Sequence, residues 1–241
     1  MPKKSALPHF LFLLFLLFAP TSPQPQTEKP RGAGILLHIT SLPSKFGIGT
    51  LGEAAFKFVD FLFEAKQKYW QVLPLGPTSY GDSPYQAISS FAGNHYMIDL
   101  ELLVKDGLLE MEDLEDVNFG SDPEHIDFGL QFTERTKILM KAYSNFNKKD
   151  PQYISFLQRS KYWLEDYALY MSIREKFHYS AWVNWPKEYK NREPKAMEKI
   201  GKELKNTVEF HKFLQFKFDQ QFRALKSYCV EKEVKDRKSV V

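Results

Sequence analysis

The residues best suited to chemistry are gathered in one stretch, Gly76 to Asn94, which carries Tyr80, Asp82, Ser83, Tyr85, Gln86 and Asn94 among turn formers. A tyrosine offers a flat face to the apolar side of a sugar ring and a hydroxyl for hydrogen bonding. Pro84 fixes its own backbone and restricts that of Ser83, so Ser83 and Tyr85 should be held in place. A plainer use of the same residues has Tyr85 packing the loop and Asp82 capping a turn, and the stretch alone does not choose between them. Other chemistries have little to work with. The histidines, His9, His38, His95, His125, His178 and His211, are scattered, and none forms a spaced pair that would hold zinc. Cys229 is the only cysteine, which excludes an intrachain disulfide. A lone cysteine reads as a small buried hydrophobe.

The elements that must position this stretch precede it. Ala33-Gly-Ile-Leu-Leu-His-Ile39 is a continuous apolar run, the pattern of a strand buried on both faces. A loop from Thr40 to Gly49 follows. Thr50 and Glu53 then stand in the spacing of a reciprocal helix cap, and Ala55, Phe58, Val59 and Leu62 share one helical face. Tyr69-Trp-Gln-Val-Leu-Pro-Leu75 predicts a second strand. Strand, helix and strand within about 40 residues make a βαβ unit with parallel strands and a right-handed crossover. In a barrel of such units, the Gly76–Asn94 loop leaves the carboxyl end of a strand, the face on which barrels bind ligands. Gly47-Ile-Gly-Thr-Leu-Gly52 matches a dinucleotide-binding string, but loop residues including Pro43 separate it from the first strand. The second strand also ends without the acidic residue that binding would need, so these glycines read as loop and cap residues.

Beyond the loop the pattern is mostly helical. Met97 to Leu109 reads as a short strand or turn entering a helix, and Glu110 to Asp127 as an acidic loop region. Helices are expected over about Gly129–Asn145 and Tyr153–Phe177, the second burying Phe156, Leu157, Trp163, Leu164, Tyr167 and Met171. Pro194 suits the first position of a further helix. Phe210, Phe213, Leu214, Phe218, Phe222, Leu225 and Cys229 then make a long apolar face that lacks a visible partner. Two strands are all that the pattern supplies; the chain is expected to stop before a third.

Composition bounds the class. Of 241 residues, 43% are hydrophobic and 26% charged, too apolar for a disordered chain. A net charge of +3 with interspersed signs does not suggest nucleic acid as a partner. Residues 1–30 differ from the rest: Lys3 and Lys4 precede an apolar run from Phe10 to Ala19 and a proline-rich exit, the layout of an export signal. That run falls short of the roughly 20 residues of a membrane-spanning helix, so a membrane partner is not expected. The competing reading is a mis-assigned start codon, with the protein beginning near Arg31. The last residues, Asp236-Arg-Lys-Ser-Val-Val241, can be encoded by the opening of a common sequencing adapter, which makes the end an expected library artefact.

Tyr69-Trp-Gln-Val-Leu-Pro-Leu-Gly-Pro-Thr78, Gly81-Asp-Ser-Pro-Tyr-Gln86, Phe91-Ala-Gly-Asn94 and Ile98-Asp-Leu100 together resemble the 4-α-glucanotransferase family, the amylomaltases and disproportionating enzymes. Gly34 to Pro43 looks like its opening strand. Trp163 to Leu169, Trp182-x-x-Trp-Pro186 and Phe210 to Phe222 look like its helical inserted region. The likeness runs from about Arg31 to Val230, with His95 and Tyr96 departing from the pattern. The resemblance implies an α/β fold, here an incomplete (β/α)8 TIM barrel (its first strands) with a largely helical inserted subdomain. The expected divisions are 1–30 leader or mis-assigned start, 31–100 strands and substrate loop, 101–230 helical insertion, and 231–241 truncated end. It also implies transfer of α-1,4-glucan segments to another glucan or to glucose with retention of configuration, maltodextrin as ligand, no cofactor or metal, and a cytoplasmic location. Carried over residue by residue, Tyr85 flanks the glucose at the cleavage point, Ser83 is its hydrogen-bonding neighbour, and Tyr80 stacks at a more remote glucan site. The family's catalytic carboxylates lie beyond these blocks, so no catalytic residue is expected in this chain and no turnover by it alone. The alternative is a non-catalytic glucan-binding or regulatory short form.

Overall fold

The structure is a computed structural model that describes residues 31–79, 81–122 and 124–238. The leader at 1–30, Tyr80, and residues 239–241 of the tail lie outside the described residues. Two strands form where the apolar runs predict them, β1 (Gly34–Leu36) and β2 (Tyr69–Val72), paired in parallel with Gly34 opposite Tyr69. A third strand corrects the expectation of only two. β3 (Lys235–Lys238) runs parallel to β2 with Tyr69 opposite Lys235, and the sheet order is β1-β2-β3. Its sequence, Lys-Asp-Arg-Lys, has no apolar alternation to betray it, and charge of this kind is common on sheet edges. The backbone leads it in: buried Val234 donates its N–H to the Cys229 carbonyl at 2.8 Å, and Lys235 N–H bonds Lys68 O at 2.9 Å.

β1 is not buried on both faces as expected. Ile35 and Leu37 pack toward the core with Trp70 and Val72, whereas Leu36 is 55% exposed on the other side. The Trp70 indole N–H donates to Leu37 O at 2.8 Å, tying the two strands beyond their short ladder.

Between them lies α1 (Glu53–Glu64), whose Ala55, Val59 and Leu62 are buried. The predicted reciprocal cap is absent. Gly52 is the N-cap, Thr50 Oγ1 instead donates to Asp99 Oδ2 at 2.6 Å, and Glu53 pairs with Lys57. Asp99 explains the glycine, because a Cβ at position 52 would lie 1.9 Å from its Oδ2. The other oxygen of Asp99 caps α2 (Leu100–Lys105), accepting from Leu102 N–H at 2.9 Å. One carboxylate thus caps α2 and holds Thr50 just ahead of α1, and Gly52 is required by its close approach.

The longer helices of the remainder are α3 (Thr136–Ser144), α4 (Pro151–Lys176), α5 (Pro194–Glu203) and α6 (Lys205–Glu231). Asp150 caps α4 through Gln152 N–H, and Pro151 and Pro194 each open a helix, where a missing N–H costs nothing. Phe156, Leu164, Tyr167 and Met171 are buried as predicted, while Leu157 and Trp163 are partly so. The apolar face of α6 finds its partner within the chain, contrary to expectation. Phe210, Phe213, Leu214, Phe218, Leu225 and Cys229 join α1, α2, α3 and the strands in one core. Full burial of each phenylalanine contributes about 1.5–3 kcal/mol, so α6 is the spine on which the sheet and helices assemble. Among the described residues no helix is long and apolar enough to cross a membrane.

Candidate functional site

The Gly76–Asn94 loop leaves the C-terminal end of β2 and closes on itself. Asn94 N–H bonds Leu75 O at 2.8 Å and Ile88 N–H bonds Pro77 O at 3.1 Å, which makes a neck. At its far end Pro84–Gln86 forms a single 3-10 turn. Ser83 precedes it with φ −70° and ψ 127°, the extended conformation that a following proline enforces, and its Oγ accepts Tyr85 N–H at 3.3 Å. The held backbone that the sequence predicts is therefore present. Tyr85 projects outward, 56% exposed. Asp82 sits in the left-handed region at φ +53°, and burial pushes its carboxyl above the usual range against a hydrogen bond from Thr78. Burial, aided by the Asp82 charge, also raises the Tyr96 phenol to about 12. Tyr80 lies outside the described residues.

Tyr85 forms part of one wall of a cleft of about 590 Å³ between this loop and the helices α4 and α6. The helical wall presents Arg159, Tyr162, Trp163 and Gln215, and the loop adds Phe91. Phe91 meets Tyr162 edge-on at 5.4 Å and stacks near-parallel to Trp163 at 6.2 Å. Asp219 is the one carboxylate among the described lining residues. It is held by Arg159 and by Arg223, whose Nε lies 2.9 Å from both of its oxygens. A flat aromatic surface beside guanidinium and carboxylate groups suits a ligand that offers both apolar faces and hydroxyls. Ser83 does not line this cleft; its hydroxyl serves the turn. Among the described residues no group of His, Cys, Asp or Glu could hold a metal ion.

Two glutamines that sequence reasoning missed grip the backbone from α6, and one of them holds the loop in place. The buried Gln215 amide accepts Gly93 N–H at 2.8 Å and donates to Gly93 O at 2.9 Å. Gln221, two turns further along α6, does the same for Asp99, at 2.7 and 3.1 Å. Gly93 can be nothing larger, since a Cβ there would lie 2.1 Å from the Phe218 ring. Arg174 on α4 reaches the loop as well, donating to Ser79 Oγ at 3.2 Å. The available signal was a glutamine set inside Phe213-Leu214-Gln215-Phe216, where both neighbouring faces are apolar.

Comparison with known proteins gives a consistent picture. A family model described as 4-alpha-glucanotransferase matches residues 37–236. The chain is 50% identical over 200 residues to a 4-alpha-glucanotransferase of Clostridium butyricum, covering 83% of this chain and 41% of that protein. Against the Thermus thermophilus 4-alpha-glucanotransferase the identity is 43% over 205 residues, covering 83% and 40%. Among solved structures, an amylomaltase from Streptococcus agalactiae in complex with acarbose superposes with a TM-score of 0.84 at 40% identity, covering 87% of this chain and 43% of that one. The chain spans about two fifths of the length of the curated relatives it matches.

Proposed function

The chain belongs to the 4-alpha-glucanotransferase family, and on that premise we propose that it forms the glucan-holding part of a protein that transfers α-1,4-glucan segments to another glucan or to glucose with retention of configuration. The observation that carries this reading is the position of Tyr85, exposed on a fixed turn and facing a cleft at the C-terminal end of a parallel strand. Three parallel strands in sequential order are consistent with the opening of a (β/α)8 barrel, in which neighbours in sequence are neighbours in the sheet. The acarbose complex of the related amylomaltase supports an α-glucan ligand.

In this reading Tyr85 packs against the sugar at the cleavage point and Tyr80 stacks a more distant unit of the chain, while Ser83 acts beside Tyr85 by holding its turn. Retaining transfer needs a nucleophilic carboxylate and an acid/base carboxylic acid about 5–5.5 Å apart. Among the described residues the cleft offers one carboxylate, Asp219, already committed to two arginines, and the three described strands do not close a barrel. In this reading the catalytic pair is not supplied by this cleft, and the 241-residue chain alone is expected not to turn over glucan. Maltotriose disproportionation is the test: the protein containing this chain is expected to release glucose and longer maltodextrins, and the isolated chain neither. Inactivity of the former would refute the assigned reaction, and glucan transfer by the latter would refute the missing-carboxylate argument.

A further inference from the structure

Gln215 and Gln221 make the same contact at the same sequence separation, each gripping the peptide of a residue 122 positions earlier. Both are buried, on one helix, and each offers one donor and one acceptor to one backbone unit, as a neighbouring strand would. What differs is the segment that each holds. Gln221 grips Asp99 at the start of α2, outside the loop. Gln215 grips Gly93, next to the neck bond from Asn94 N–H to Leu75 O. From Gly93 the connection runs back along the loop. Ser89 Oγ accepts the N–H groups of Phe91 and Ala92 at 3.2 and 3.1 Å, and Ile88 bonds Pro77 across the neck. Phe91 lines the cleft on this segment, Tyr85 lines it three residues before Ile88, and Gln215 lines the same cleft from α6.

We infer that Gln215 is a positioning residue: its amide fixes the Gly93 peptide to α6, so that the loop presents Tyr85 and Phe91 to the glucan in one arrangement. The role is separate from binding itself and rests on the glucan reading of the cleft. Gln221 supplies a matched control, because it loses the same two bonds in an equally buried setting without touching the loop.

The experiment compares Gln215→Met and Gln221→Met in the 241-residue chain by hydrogen exchange over residues 76–94 and by titration with maltoheptaose. Gln215→Met is expected to speed exchange of the loop amides by about tenfold or more and to weaken maltoheptaose binding by about tenfold. Gln221→Met is expected to lower the thermal midpoint by a similar amount yet leave loop exchange and affinity within about twofold of wild type. If Gln215→Met does not fold, Gln215→Asn, which keeps the amide but withdraws it by one methylene, is read against the same expectations. Native loop protection in the Gln215 variant, or identical loop exchange in the Gln215 and Gln221 variants, overturns the positioning role. A wild-type chain without affinity for maltoheptaose overturns the glucan reading instead, and the exchange contrast still reports whether the clamp orders the loop.

Discussion

His38 predicts a pH-dependent loss of stability that can be isolated with one substitution. It follows β1, is only 9% exposed, and its Nδ1 has no hydrogen-bond partner. Burial pulls its pKa from 6.5 down to about 4. The folded chain therefore keeps the imidazole neutral while the unfolded chain protonates it below 6.5, so the unfolded state binds more protons in the window between the two values. The stabilisation is fully present above 6.5 and is lost as pH falls toward 4. From those two pKa values the loss is about 2 kcal/mol at pH 5 and levels off at about 3 kcal/mol below pH 4. That is a large part of the roughly 5–15 kcal/mol that holds a typical domain together. Urea unfolding of wild type and His38→Gln at pH 7.5 and pH 5.0 measures it. Other buried groups, including His95, which burial takes down to about 3, act in both proteins and cancel. The variant is expected to lose about 2 kcal/mol less than wild type between the two pH values. Equal losses, or a larger loss in the variant, would mean that the folded state accommodates the His38 charge, and the burial argument would fail.

Three further substitutions test the packing. Gly93→Ala drives a Cβ to 2.1 Å from Phe218 Cδ1, and urea unfolding should show a cost of about 1–3 kcal/mol. Asp106→Ala strips the carboxylate partner, 2.7 Å away, from the buried Lys217 ammonium and leaves it the Gln220 amide oxygen at 2.9 Å. A loss of about 1–2 kcal/mol is expected, tempered by the partial exposure of the carboxylate, with the thermal midpoint as readout. Thr50→Val removes the 2.6 Å bond to Asp99, and a drop of about 1 kcal/mol in denaturant unfolding should follow.

Much of the frame is legible in the sequence because it is written in apolar spacing. The β1-α1-β2 unit follows from its apolar runs and the helical spacing between them, and α4 and α5 begin at prolines that suit a first turn. What escapes is what backbone or polar contacts decide. β3 carries Lys-Asp-Arg-Lys and is specified by its ladder to β2, leaving no side-chain pattern to read. The Thr50–Glu53 spacing is an adequate cap locally, yet Asp99, distant in sequence, takes the threonine hydroxyl. The turn at Ser83–Tyr85 is readable because Pro84 acts on its immediate neighbours. The grip of Gln215 on Gly93 joins residues 122 positions apart; a glutamine among apolar neighbours announces a buried amide but not its partner. The face of α6 reads as unpartnered for the same reason: its partners are spread across α1, α2, α3 and the sheet.

Calorimetric titration of maltoheptaose into the 241-residue chain and its Tyr85→Ala variant tests the central claim most directly. Tyr85 is 56% exposed, so its truncation should leave the unfolding midpoint unchanged. The wild-type chain is expected to bind saturably, and the variant to bind at least about tenfold more weakly, as the loss of one aromatic platform implies. A wild-type chain that does not bind, or a variant that binds equally well, would contradict the assignment of this loop as the glucan-holding element.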